Sequence, residues 1–247
     1  MASVTAKVDF KKSLDSYRAR AGEFRIVEMR PLRYLMVDGH GNPNTVQEYT
    51  DALAALYPVA YQLKFASKHE LGQDYVVPPL EALWWASDME AFTSARDKAQ
   101  WEWTVMLMIP DWITPSMFDA ALAKVAAKDR PVSLEKLRDE VLDEGTSVQT
   151  LHLGPYDDEA TTLTELHHEF IPSHGLRMTG KHHEIYLSDP RRVIPSKLRT
   201  ILRQPVKPVA GTHAIAGEQA AGSGRAARAS PAHAVPLAGH QRSRCRG

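Results

Sequence analysis

Three features of this 247-residue chain point to an α+β fold built on antiparallel strands. Short runs rich in β-branched and aromatic residues end at glycine, proline or polar clusters. Two longer stretches carry apolar residues at three- and four-residue spacing. The elements also recur in one order, strand, helix, strand, strand, in both halves of the body. The expected architecture is therefore two such modules in pseudo-twofold duplication, with antiparallel strands forming a groove and helices covering the opposite face.

The first module is expected over about residues 24–110. Leu32 to Gly39 reads as a strand closed by glycine. A helix follows, opened by the capping-box pattern Thr45-Val46-Gln47-Glu48 and carrying Val46, Tyr49, Leu53, Leu56, Ala60 and Leu63 on one stripe. Pro79 to Ala86 and Trp101 to Ile109 read as the two closing strands. A helical connector is expected over 115–144: Pro115 suits the first turn of Ser116 to Ala127, and Ser133 is placed to cap Leu134 to Glu144, which stops at Gly145.

In the second module, over about 147–204, Val148 to Gly154 again ends at glycine. A helix from about Glu159 places Ala160, Leu163, Leu166 and Phe170 on one stripe, and His182 to Leu187 and Lys197 to Gln204 close the unit. Ala86-Ser87-Asp88 and Leu187-Ser188-Asp189 follow corresponding strands.

The net charge of zero hides two unequal parts. From Pro205 onward six Lys/Arg face one acid, a net of +5, which leaves −5 on residues 1–204. An acidic body argues against nucleic acid as a partner, because phosphate neutralisation needs clustered Lys/Arg. Residues 205–247 hold no Phe, Trp or Tyr and are rich in Ala, Gly, Arg and Pro, so a disordered tail is expected there. Deleting it is expected to leave folding nearly unchanged. The first twenty residues contain no apolar run, and the single cysteine, Cys245, has no partner for an internal disulfide; a cytoplasmic protein without a membrane span is expected.

The most informative run is Gly180-Lys181-His182-His183-Glu184-Ile185-Tyr186-Leu187. In an extended strand His182, Glu184 and Tyr186 share one face, while His183, Ile185 and Leu187 share the other. On these residues alone Glu184 is either an exposed acid paired with Arg177 or Lys181, or a functional carboxylate on the floor of a binding surface. Trp84 and Trp85 must point to opposite faces. Trp101 and Trp103 are read as core packing. His152 shares a face with Thr150 and either borders the groove or is a hydrogen-bonded structural histidine. The adjacent pairs His167-His168 and His182-His183 point apart on a strand, and no H-E-x-x-H spacing occurs, so no metal is expected. No G-x-G-x-x-G, P-loop or G-x-S-x-G run is present, and no cofactor is expected.

The element order, together with Pro78-Pro79-Leu80-Glu81-Ala82-Leu83-Trp84-Trp85, Leu151-His152-Leu153-Gly154-Pro155-Tyr156-Asp157-Asp158-Glu159 and the Gly180 to Arg192 run, resembles the GyrI-like small-molecule-binding family over roughly Phe24 to Gln204. The resemblance implies a ligand groove lined by aromatics around one central acid. Its members include effector-binding domains of multidrug-responsive activators, gyrase-inhibitory proteins and stand-alone hydrolases of cyclopropanoid DNA-alkylating toxins. Glu184 matches the family's central glutamate, and Tyr156, Trp85 and Trp112 are implied to approach the groove, Trp84 replacing Trp85 if the register differs by one.

The function expected on this basis is binding of a bulky lipophilic aromatic molecule, with hydrolysis of cyclopropanoid toxins by water activated at Glu184. Tyr156 or Tyr186 would hydrogen-bond the developing oxyanion, and Trp85 and Trp112 would stack on the polycyclic body. The alternative is a non-catalytic module that sequesters drugs, senses an effector or inhibits gyrase. The stretch before Phe24 is too short for a helix-turn-helix, so a regulatory role would need a separate partner.

Overall fold

The computed structural model describes residues 6–86 and 98–210. Ser87 and Asp88, expected to mirror Ser188 and Asp189, lie outside the described residues, as do Cys245 and the chain from residue 211 onward. The strands are β1 (Arg25–Glu28), β2 (Leu32–His40), β3 (Glu81–Trp85), β4 (Glu102–Ile109), β5 (Arg138–Leu142), β6 (Thr146–Leu153), β7 (Leu176–Met178), β8 (His182–Tyr186) and β9 (Arg199–Pro208). Their order is β1-β6-β9-β8-β3-β4-β2-β5, with β7 on β9, and every strand pair is antiparallel. Outward from the central β3–β8 pair lie β4 then β2 on one side and β9 then β6 on the other. Each strand-helix-strand-strand stretch thus forms its own half of the sheet.

The helices are α1 (Phe10–Ser13), α2 (Gln47–Glu70), α3 (Pro115–Lys128) and α4 (Ala160–Thr164). Residues Glu165–Phe170 continue α4 as a π-helical turn, and Ile171–Ser173 returns to α geometry. Pro172 supplies a cause, since it has no N–H for the carbonyl four residues back and its ring crowds that carbonyl. Helix α2 buries Leu56, Ala60 and Leu63 of the expected stripe, but the core face is completed by Ala52, Ala55 and Val59, while Val46, Tyr49 and Leu53 are only partly buried. Its start differs from the capping-box expectation. Val46 is the N-cap without a side-chain bond, and Glu48 accepts instead from the His40 N–H and from Lys136.

Directly paired residues in an antiparallel sheet share a face. Trp84 lies opposite Trp103 and His182, and Ala82 opposite Val105 and Glu184, so these side chains form the front. Helix α2 covers the front over β2 and β4, with Tyr49 against the rings of Trp84 and Trp103. Leu166 and Ile171, which follow α4, pack on Val148 and Val206 and cover the other half. Gly39 is required here: a Cβ would lie 2.1 Å from the Trp103 ring. It therefore sits inside β2, where a strand end was expected.

The rear face is polar at its centre. Glu81 accepts from the Tyr17 hydroxyl (2.6 Å) and the Tyr34 hydroxyl (3.2 Å) and lies 3.0 Å from His183 Nε2. His183 Nδ1 is 2.9 Å from Glu144, which also accepts from Arg203 (2.8 Å). Arg203 donates further to Gln149 and to the Ser16 carbonyl, so the Ser16–Arg18 segment is tied across the rear. Both imidazole nitrogens of His183 face carboxylates, a geometry that needs the imidazolium, with a proton on each nitrogen. Burial opposes that charge, but Glu144 and Glu81 outweigh it and raise the His183 pKa. Burial likewise opposes charge on Glu144, yet His183 and Arg203 hold its carboxyl down at about 2.

Two further expectations are corrected. The stretch expected as a helix, Leu134 to Glu144, is a 3₁₀ turn (Val132–Lys136) followed by β5. Leu134 and Leu137 are buried, and β5 pairs with β2 while Arg33 binds Asp139, so tertiary pairing overrides helical spacing. Its charges suit an exposed sheet edge. The final strand does not stop at Gln204: β9 runs to Pro208, Val206 is buried, and Val206 to Pro208 pair with β7.

Two measurements follow from these contacts. Truncation after Gln204 should lower the melting midpoint by about 5 °C or more relative to truncation after Ala210, from about 1.5–3 kcal/mol for one buried aliphatic side chain plus the lost strand pairs. Equal melting points would place the boundary at 204. The raised His183 pKa contributes stability that is complete below its unfolded value of about 6.5 and lost as pH rises through its folded value. The depressed Glu144 pKa contributes stability above its unfolded value that is lost as pH falls towards 2. Urea unfolding across pH should therefore show an alkaline decline in the wild type that His183→Gln abolishes; the same decline in both would remove His183 from this account.

Candidate functional site

Neither helix reaches over the central strands, and the gap is a cavity of about 1380 Å³. Its floor is Trp84 of β3 with Glu184 and Tyr186 of β8, and its walls include Tyr49, Leu53 and Tyr57 of α2 and Ala160 and Thr164 of α4. The cleft thus opens between the helices on the face they cover, where the opposite face was expected. The face carrying Ile185 reads as the helix-packed one. It is instead closed by the N-terminal segment and the buried charge network.

Glu184 is only 7% exposed. The Tyr186 hydroxyl donates to its Oε2 at 2.7 Å, and the Trp84 indole N–H donates to the Tyr186 oxygen at 3.0 Å. His182 Nε2 lies 3.7 Å from the other carboxylate oxygen, Oε1. Burial drives the His182 pKa well below the ordinary histidine value, so this neighbour is neutral. One oxygen of Glu184 is therefore oriented by a phenol, while the second faces a neutral imidazole.

The phenols around the acid stay protonated. Burial, and then the Glu184 charge, raises the Tyr186 pKa far above that of a free phenol. Tyr156 is pushed up to about 12 by burial, with Glu159, Glu184 and Asp189 adding to the shift. Its ring meets Tyr186 edge-on at 5.5 Å. Among the described residues no hydrogen bond engages the Tyr156 hydroxyl, whereas Tyr186 has committed its proton to Glu184. Of these two phenols, Tyr156 is consequently the one with a donor to offer a ligand.

Of the residues singled out in the sequence, Glu184, Tyr156, Tyr186 and Trp84 line one cavity. Trp85, Trp112 and His152 do not. Trp85 points to the rear, where Lys181 Nζ sits 3.2 Å from its ring centre, so the cleft takes Trp84. Trp112 packs on Phe10 and Tyr75 and donates its N–H to Ser67, which ties it to the C-terminal end of α2. His152 Nε2 donates to the Pro155 carbonyl at 3.0 Å and shapes the turn that delivers Tyr156.

Sequence reading missed four contributors. Trp101 lines the cavity and meets Trp84 edge-on at 5.5 Å, though it reads as core. Tyr49 and Tyr57 come from α2, where Tyr49, Leu53, Tyr57 and Tyr61 recur every four residues and form a second, polar-tipped stripe beside the core stripe. Glu159 is a second buried acid in the wall. Among the described residues no group of three His, Cys, Asp or Glu is placed to hold a metal ion, and no helix is long and apolar enough to cross a membrane.

Comparison with known proteins finds a family model and several solved structures. The GyrI-like small molecule binding domain matches residues 22–207. Three crystal structures from Listeria innocua are similar over their full length. One is of a conserved protein, at 37% identity over 81% of this chain, with a TM-score of 0.74. Another is described as a hydrolase, at 36% identity over 81% of this chain and a TM-score of 0.70. The third, also described as a hydrolase, is 35% identical over 82% of this chain, with a TM-score of 0.72. Among curated proteins there is no match.

The opposite orientations of the adjacent tryptophans give a direct test. With pyrene as a planar probe, Trp84→Phe should weaken binding about fivefold or more and reduce tryptophan-to-pyrene energy transfer, from the stacking lost at the floor. Trp85→Phe should leave affinity within about twofold, as expected of a residue outside the cavity. Equal losses in the two variants would contradict the register described here.

Proposed function

This chain belongs to the GyrI-like small-molecule-binding family, and from that premise we propose that its cleft binds bulky, planar, lipophilic molecules and hydrolyses those carrying a cyclopropane conjugated to a dienone. The observation that carries the proposal is Glu184, a buried carboxylate held by Tyr186 on the floor of an aromatic cavity. The description of two relatives as hydrolases supports the enzymatic half.

In the proposed reaction a water molecule lies between Glu184 Oε1 and the strained ring carbon. Glu184 takes one proton as the water oxygen bonds to that carbon. The cyclopropane C–C bond breaks, and its electron pair moves into the dienone, which becomes a phenolate. Tyr156 stabilises that oxygen by hydrogen bonding, and the proton on Glu184 is available to neutralise it. The product is a ring-opened phenol carrying a new alcohol. Trp84, Trp101 and Tyr49 supply the surfaces on which the polycyclic body stacks. No cofactor takes part. Trp85 and Trp112 have no role in this scheme.

The aromatic rings around one carboxylate also favour a second reading, in which Glu184 is the counter-ion for a lipophilic cation and no chemistry occurs. A single substitution separates the two. Glu184→Gln keeps the shape of the floor and removes the base. Turnover of a cyclopropapyrroloindolone substrate to its water-added product should fall by about 10²-fold or more, with little change in affinity. If the counter-ion reading holds, the same variant loses affinity for a planar cationic dye such as ethidium, and no hydrolysis is found in the wild type. Unchanged hydrolysis together with unchanged dye binding would reject both roles.

A further inference from the structure

The π-helical turn Glu165–Phe170 lies in the wall of the cleft and brings two consecutive side chains, Leu166 and His167, into buried positions. A regular helix rotates each residue by about 100°, so adjacent positions rarely share an inward direction. The wider turn relaxes that limit, and single π turns within α-helices occur often at functional sites. Leu166 uses the opportunity to pack on Val148 and Ile171. His167 does something different: it is 3% exposed, yet it lines the cavity.

Its Nε2 has no hydrogen-bond partner among the described residues. The ring meets His182 edge-on, with centroids 5.7 Å apart, and His182 in turn stands beside Glu184. Burial, with a smaller contribution from His168, pushes the His167 pKa down to about 4, so the ring is neutral at physiological pH. A neutral imidazole has one nitrogen that donates and one that accepts. A buried nitrogen without a partner is rare enough in folded proteins to need a reason. Packing does not require nitrogen there, since a Phe or Leu would fill the same wall.

We propose that His167 is a specificity-determining residue of the cleft, whose Nε2 hydrogen-bonds a neutral polar group, such as a phenolic hydroxyl, on an aromatic ligand stacked over Trp84. The proposal rests on the reading of the cleft as an aromatic-ligand site and adds to it the class of ligand preferred: planar, uncharged at this end, and carrying a hydroxyl or N–H at its edge. Nε2 is itself buried in the observed ring orientation, so in this proposal ligand binding turns the ring about χ2, a broad torsion in histidine, to bring Nε2 to the cavity. An ionised group would find no counter-charge in a neutral ring, so His167 selects against carboxylate- or ammonium-bearing ligands at this position.

Pyrene and 1-hydroxypyrene, which differ by one hydroxyl, test it. The ratio of their dissociation constants is measured for the wild type, His167→Phe and His167→Gln. Loss of one hydrogen bond should shrink the hydroxypyrene preference about tenfold in His167→Phe, with part of it kept in His167→Gln. In the wild type the ¹⁵N resonance of His167 Nε2 should move on adding 1-hydroxypyrene and stay in place with pyrene; this readout decides the matter if a variant fails to fold. An unchanged ratio in His167→Phe, or an Nε2 resonance indifferent to 1-hydroxypyrene, overturns the proposal while leaving the aromatic cleft intact. Failure of both probes to bind the wild type overturns the cleft reading and the proposal together.

Discussion

The centre of the sheet is organised by a buried ion cluster in which His183 stands between the carboxylates of Glu81 and Glu144, with Arg203 completing the charge balance. Glu81 belongs to β3, His183 to β8 and Arg203 to β9, and Glu144 sits in the connection between β5 and β6. Four parts of the chain therefore converge on one set of hydrogen bonds. Such a cluster is no more stabilising than well-packed hydrocarbon would be, but losing one member leaves an uncompensated buried charge, at a cost of about 3–5 kcal/mol. The register of β8 against β3 and β9 is held accordingly. A one-residue slip would send His183 into the cleft and Glu184 into the cluster.

The cleft depends on that register. Because side chains alternate along β8, fixing His183 at the rear fixes His182, Glu184 and Tyr186 at the front. The front is then divided by the helices: α2 closes the half formed by β2 and β4, and the helical segment from Ala160 closes the half formed by β6 and β9. Only the central pair stays uncovered, and the floor of the cavity is the short stretch where Trp84, Tyr186 and Glu184 are linked by hydrogen bonds. Both faces of β8 carry polar side chains, Glu184 held by Tyr186 at the front and His183 by Glu81 and Glu144 at the rear, which is unusual for a strand at the middle of a sheet and explains why the cleft face is hard to assign from hydrophobic pattern.

Period-two and period-3.6 patterns make most of the architecture legible in the sequence. β2, β3, β4, β6 and β8 fall close to their expected positions, and Leu56, Ala60 and Leu63 of the expected α2 stripe lie in the core. Each misreading has an identifiable cause. β5 carries Leu134, Leu137 and Val141 in its neighbourhood at helical spacing, but its pairing with β2 decides the outcome. β1 and β7 are four and three residues long, too short for a periodic signal to rise above composition. Thr45 and Glu48 match a capping box, yet Glu48 is drawn to Lys136, far away in the chain.

The same division runs through the site. Chain order alone determined that Glu184 and Tyr186 share a strand face, that Trp84 and Trp85 must oppose one another, and that Tyr156 follows a glycine-proline turn, because these are consequences of local geometry. Which of the two tryptophans meets the ligand space, whether Trp101 fills core or wall, and that Tyr49 and Tyr57 of a distant helix complete the cavity were decided by tertiary structure. These outcomes depend on which side of the sheet the helices occupy and on a charge cluster whose Arg203 also reaches the Ser16 carbonyl, 187 positions away. No window of sequence contains both partners of such a contact, so only the folded chain can bring them into one site.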